Sequence, residues 1–240
     1  KNHRTNARDM RNVIASLGVE ERRHYDYDLL EKKYLENQNR LIDDEEARKQ
    51  LREEISNKSV FLIAPGKSSI KELKRIKKYI ADEKPFVVGV NAILPVYADT
   101  YDAVFFTNII RYSYAQEAYT DIFCKIKRIL LSNIKTLPSQ NELLFNFNLA
   151  IKRGWEHFDN AVICALRLLD RLGISHVAIA GFDGFKNEYN ESYADPSLPT
   201  LNPDGKWEEL NAEIRDMYRD VKDSTADHMH ITFITESVFE

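Results

Sequence analysis

Six short, almost uninterrupted apolar runs, separated by helix-patterned stretches, constrain this chain more than any other feature of it. They are VFLIAP (60–65), FVVGVN (86–91), AVFFTN (103–108), RILLSNI (128–134), HVAIAGFD (176–183) and HITFIT (230–235). A strand with one wet face alternates apolar and polar residues. Runs that are β-branched or aromatic at nearly every position suit strands covered on both faces. The intervening segments SIKELKRIKKYI, YSYAQEAYTDIF, FDNAVICALRLLDRLG and WEELNAEIRDMYRDV carry helical spacing, so strand, helix and next strand make parallel crossovers. The prediction is an α/β fold, a Rossmann-like, doubly wound, mostly parallel sheet of about six strands. Such a sheet places ligands at the carboxyl ends of its strands, which makes the polar residues that close the runs the candidates for function.

Residues 1–57 have a different texture. DMRNVIASLG reads as a helix closed by Gly18 as C-cap, followed by YDYDLLEKKYLENQNRL and the highly charged DDEEARKQLREEI. Leu29, Leu30, Tyr34 and Leu41 recur at helical spacing opposite a charged face, as in a helix that packs one stripe and wets the rest. The predicted organisation is a helical appendage or linker over 1–57 and a Rossmann-like nucleotide-binding domain over 58–240. The chain starts at Lys1 without a methionine, which leads to the expectation of a piece cut from a longer polypeptide.

Charge and composition exclude some partners. With 34 Lys plus Arg against 38 Asp plus Glu, there is no overall basic surplus to recruit nucleic acid. No run of about 18 apolar residues suggests a membrane span, and KNHRTNARDM lacks the apolar core of a secretory signal. Cys124 and Cys164 are too few for a disulfide framework and sit in apolar surroundings such as AVICAL. They read as small buried hydrophobes of a reducing compartment, and a cytoplasmic location is expected.

Three clusters could carry chemistry. In APGKSS, Gly66 would let the backbone turn sharply from strand to helix, Ser68 or Ser69 could cap the helix, the first-turn N–H groups would favour a phosphate, and Lys67 would add positive charge. The GKS triplet is only half of a phosphate-binding loop, because the required glycine five residues earlier is Phe61. Asn91 closes the second run, and Thr107 and Asn108 close the third; a carboxamide there offers a donor and an acceptor to a base edge or ribose. In GFDGFKNEYNESY, Gly181 and Gly184 free the backbone, Asp183 ends the fifth run to bind a ribose, acceptor or metal or to cap a turn, and Tyr189 and Tyr193 could stack on a base or sugar. Residues 186–206 read as a lid. Among the histidines, His228 and His230 have the spacing to share one strand face, but no third ligand accompanies them, so no metal is predicted.

Taken in order, LIAPGKSSIKEL, VGVNAI, DAVFFTN and DNAVICALRLLDRLGISHVAIAGFDGF resemble the bacterial lipooligosaccharide sialyltransferases and the related hydroxymethylpterin pyrophosphokinase-like proteins over residues 60–193. The resemblance implies that Gly66 and Ser68 form the turn beside the nucleotide, Asn91 contacts it, Asn160 lies near it at a helix start, and Asp183 holds the acidic position. It departs where Pro65 and Lys67 stand in place of the families' Asn and Pro, where Phe185 replaces a site tyrosine, and where 195–206 lacks a histidine base. DMRNVIASLGVEERRHYDYDLLEKKY also resembles the tail after the barrel of hydroxymethylglutaryl-CoA-lyase-type aldolases, which implies an upstream aldolase domain in the same chain.

The expected function is a transferase domain that binds a nucleotide or nucleotide-sugar, of cytidine type, and moves a glycosyl or phosphoryl group in surface-polysaccharide synthesis. Gly66, Lys67, Ser68, Asn91, Asn108, Asn160 and Gly181 would bind the nucleotide. Asp183, Tyr189 and Tyr193 would serve the chemistry, the tyrosines by supporting the leaving phosphate. The alternative is a noncatalytic ligand-sensing or assembly domain fused to an aldolase barrel, since no general base stands out.

Overall fold

The computed structural model describes residues 7–136, 139–186, 192–200 and 205–240. Helices α1 (Ala7–Ser16), α2 (Val19–Arg23), α3 (Tyr27–Gln38) and α4 (Glu45–Ile55) precede β1 (Val60–Ile63). Then come α5 (Ser68–Lys71), α6 (Leu73–Glu83), β2 (Phe86–Val90), a 3-10 turn (Pro95–Tyr97), β3 (Ala103–Phe106), α7 (Ile109–Ala118), α8 (Thr120–Lys125), β4 (Lys127–Leu131), β5 (Glu142–Phe145) and α9 (Phe147–Ala150). The chain continues through α10 (Ala161–Arg171), β6 (His176–Ala180), α11 (Trp207–Thr225) and β7 (His230–Phe233). The strands form one sheet in the order β5-β4-β3-β2-β1-β6-β7, and every pairing in it is parallel. This is the expected doubly wound α/β fold, with one strand more than the six apolar runs predicted.

The runs are apolar throughout because both faces are covered. Along β1, Val60 and Leu62 pack with α4, α10 and α11 on one face, while Phe61 and Ile63 pack with α6, α7 and α8 on the other. The period of two in a strand sends neighbours to opposite layers, so a strand buried in both layers has no position left for a polar residue.

The N-terminal segment is not uniform. Val13, Leu17 and Leu30 hold α1 against α3 in a small cluster of their own. In contrast, Leu51 and Ile55 of α4 are 1% and 2% exposed and belong to the main core, so packing is continuous across residue 57. Gly18 corrects an expectation: its φ of -65° is not the left-handed value of a helix C-cap, and it serves as the N-cap of α2. Cys164 is buried as expected, but Cys124 is exposed, because α8 turns that position outward between Phe123 and Lys125.

Candidate ligand-binding site

β1 is the topological switch point. From it the strand order runs through β2, β3 and β4 to β5 on one side and through β6 to β7 on the other. A cleft of about 730 Å³, counted with the open space at its mouth, lies at the carboxyl ends of β1 and its neighbours. A doubly wound sheet puts its ligand crevice at this location.

The floor is a seam of two turns. Ala64 N donates to Ala180 O at 2.8 Å, and Gly66 N donates to Gly181 O at 2.9 Å. Gly66 does not adopt a positive φ, so its requirement for glycine is one of space. A Cβ there would stand 2.3 Å from Gly181 O and 2.7 Å from Asp183 Cγ. Gly181 needs both space and freedom: its φ is +73°, and a Cβ would lie 2.0 Å from Ala64 O. Neither seam position leaves room for a side chain.

Asp183 is committed to this seam. Its Oδ2 accepts from Ser68 N at 2.8 Å, and its Oδ1 accepts a short hydrogen bond from the Ser68 hydroxyl. Ser68 Oγ also lies 2.9 Å from Thr235 Oγ1, which accepts from Gly181 N at 3.0 Å. The Ser68 N–H, which the turn would otherwise present to an external anion, meets the protein's own carboxylate. Accordingly Ser68 and Lys67 are not part of the cleft lining, and Lys67 is exposed.

The walls come from the carboxyl ends of β2 and β3 and from two helix starts. Asn91 holds φ +55°, a left-handed value that Asn tolerates better than most residues. Its carboxamide locks onto Thr107, with Nδ2 donating to Thr107 Oγ1 at 3.0 Å and Oδ1 accepting from Thr107 N at 2.9 Å. Asn108 caps α7 by accepting from Arg111 N at 2.9 Å. Asn160 caps α10 by accepting from Val162 N and Ile163 N at 3.1 and 3.2 Å. Both helices, 10 and 11 residues long, therefore aim the positive ends of their dipoles at the cleft. The three asparagine side-chain oxygens are spent on backbone, an arrangement that fixes the walls.

Arg111 is the functional candidate that sequence reasoning missed. It lines the cleft, is 6% exposed, and lies with its guanidinium carbon 4.7 Å from the Tyr193 ring centre. Its Nη1 donates to Asn91 O at 3.4 Å. The only signal in the sequence was its position three residues after the capping Asn108, which returns its Cα to the mouth of the cleft.

A strap closes the mouth. Tyr193 forms an isolated antiparallel bridge with Gly66, and Ala194 N donates to Pro65 O at 2.8 Å. Asp195 anchors the strap to the far wall by accepting from the hydroxyls of Tyr114 and Tyr119 at 2.9 and 2.8 Å. Burial pushes the Asp195 carboxyl up, but the Ser197 N–H and the two phenols outweigh it and hold the group below its ordinary range. Burial and the adjacent carboxylate push the Tyr119 phenol up in turn.

Of the predicted residues, Gly66, Asn91, Asn108, Asn160, Gly181, Asp183 and Tyr193 line this one cleft; Tyr189 lies outside the described residues. The histidines do not. His157 Nδ1 lies 2.6 Å from Glu213 Oε2, and His228 Nε2 lies 2.6 Å from Asp170 Oδ1. His228 precedes β7 rather than sharing a strand face with His230, which instead opposes His176 across the β6–β7 pair. Among the described residues no three His, Cys, Asp or Glu side chains cluster to hold a metal ion. No described helix is long and apolar enough to cross a membrane.

Comparison with known families, curated proteins and solved structures gives no match for the chain. The reading of the site rests on its geometry.

Proposed function

We propose that this chain binds a nucleotide or nucleotide-sugar in the switch-point cleft and transfers a glycosyl or phosphoryl group from it. The observation that carries this reading is the convergence of Arg111 with the starts of α7 and α10 on a crevice whose only lining carboxylate among the described residues, Asp183, is hydrogen-bonded to Ser68. Cationic and dipolar donors in a half-dry cleft favour a phosphate and the charge that develops as it leaves. In this assignment Arg111 and the α10 start hold the phosphate, Asn91 and Asn108 shape the pocket for ribose and base, and Tyr193 covers the leaving group. A cytidine nucleotide is the form that the motif order favours.

A second reading has its own support. Among the described residues no histidine lines the cleft, and Asp183 already accepts two hydrogen bonds. A noncatalytic ligand-sensing or assembly domain attached to an aldolase barrel needs no base.

Calorimetric titration with cytidine, adenosine and guanosine mono- and diphosphates, and with their sugar conjugates, tests both. Binding to the wild type is expected. Arg111→Leu should weaken it by about 10- to 100-fold, the loss of one charge-assisted contact. No heat from any nucleotide refutes the binding. Binding without release of sugar or phosphate, in a chain of defined oligomeric size, supports the second reading over the first.

A further inference from the structure

A basic stripe runs along the helical stretch that leaves the floor of the cleft. Residues 67–84 hold seven of the chain's 34 Lys and Arg but only three of its 38 Asp and Glu, so the rest of the chain is acidic and this stretch is its basic pole. α5 and α6 follow each other almost without a break, since Glu72 N donates to Ser68 O and Ile76 N to Glu72 O. One side of the pair is committed to the core: Ile76 is buried, with Leu73, Tyr79 and Ile80 packed beside it.

The other side faces water. Lys67, Lys71, Lys74 and Lys77 are exposed, and they recur three and four residues apart, a spacing that aligns side chains along one face of a helix. The neighbouring carboxylates Glu72 and Asp82 pair with Arg75 and Lys78, which leaves these four lysines without an ion pair among the described residues. Ile70 sits within the stripe by the same spacing and is 42% exposed. Val96, whose neighbour Tyr97 hydrogen-bonds to Ser69 O, is 37% exposed.

We propose that this stripe docks the protein on an anionic bilayer surface, with the four lysines on the headgroups and Ile70 seated among them. Charge complementarity decides the partner: a helix that shows unpaired cations and an aliphatic side chain on one face lies in the plane of such a surface. Nucleic acid fits less well. The one arginine of the stretch, Arg75, is paired, and its one aromatic ring, Tyr79, packs edge-on against Phe61, so neither a fork for a base edge nor a platform for stacking is offered. Docking does not depend on what the cleft binds. It does hold the cleft close to the bilayer, because Gly66 of its lining directly precedes Lys67.

Flotation of the full chain with vesicles of phosphatidylcholine, or of equal parts phosphatidylcholine and phosphatidylglycerol, tests the proposal. Binding is expected to the mixed vesicles alone, and should vanish in about 1 M sodium chloride, where screening cuts the reach of a charge to ~3 Å. Lys71→Gln with Lys74→Gln should weaken binding about 30-fold, roughly fivefold per charge. Ile70→Ser should weaken it while leaving its salt dependence unchanged. Lys49→Gln with Lys222→Gln, on helices that pack against the opposite face of the sheet, should leave it as in the wild type. Absence of binding to the mixed vesicles overturns the proposal, as does wild-type binding by the Lys71 and Lys74 double variant. A DNA duplex that displaces the vesicles at equal phosphate concentration would make the stripe a nucleic-acid site and overturn it equally.

Discussion

Replacing Gly66 with alanine should separate the two reasons for which a turn keeps a glycine. The φ of Gly66 is not positive, so alanine carries no backbone strain there. It meets instead a wall of fixed atoms: Gly181 O at 2.3 Å, Asp183 Cγ at 2.7 Å and Asp183 Oδ2 at 2.8 Å. Gly181 O belongs to the backbone of the next strand end and Asp183 is held by Ser68, so neither yields as a flexible side chain would. Overpacking of this kind costs roughly 1–3 kcal/mol. Prising the turns apart also stretches the Gly66 N to Gly181 O bond, which is worth about 1 kcal/mol. The total is about 2–4 kcal/mol, or about 4–16 °C in Tm at ~2–4 °C per kcal/mol for a chain of this size. Urea unfolding followed by tryptophan fluorescence measures it. Gly18→Ala is the control, since φ is -65° and the nearest atom to a new Cβ is a side-chain oxygen at 3.7 Å. It should cost no more than about 1 kcal/mol, the loss of a glycine N-cap to alanine. A Gly66→Ala protein as stable as the control would refute the close-approach argument.

Asn91→Gly keeps the left-handed backbone but removes both bonds to Thr107, and should cost about 1–2 kcal/mol in urea unfolding. Asn91→Ala adds the backbone penalty, about 1 kcal/mol more, and equal values for the two would refute it. Asp195→Asn weakens the anchor of the strap, and limited proteolysis within 192–200 should accelerate while Tm barely moves. Burial pushes the Glu213 carboxyl up, but His157 outweighs it and holds the group below its ordinary 4.5. A depressed carboxylate contributes stability that is complete above the unfolded value and is lost as pH falls through the folded one. Urea midpoints from about pH 6 down to about pH 3.5 should therefore fall more steeply for wild type than for Glu213→Gln.

The layered fold was legible because burial on both faces leaves a crude signal, a run without polar interruption. β5 escaped it. Glu142–Phe145 is four residues long, sits at the edge of the sheet and is only alternately buried, so ELLF looked like part of a loop. The site was legible where residues close strands: Gly66, Asn91, Asn108 and Asp183 converge because parallel strands all end on one rim. What each side chain does there was not, since that depends on the partner across the seam. Asp183 is spent on Ser68, 115 residues away, a pairing that no local pattern encodes. Arg111 was hidden for the complementary reason. In IIRYSY it looks like any arginine on an amphipathic helix, and only the folded structure shows it buried against the cleft.

That same seam has a bearing on how the chain reaches its native state. β1 emerges in synthesis well before its partner β6 and the Asp183 that stills the Ser68 turn, which lie far downstream. Closing so long a loop is slow and its entropy must be spent before any contact repays it. The cleft therefore cannot exist on a half-made chain, and occupancy of it would report that both halves of the sheet have met.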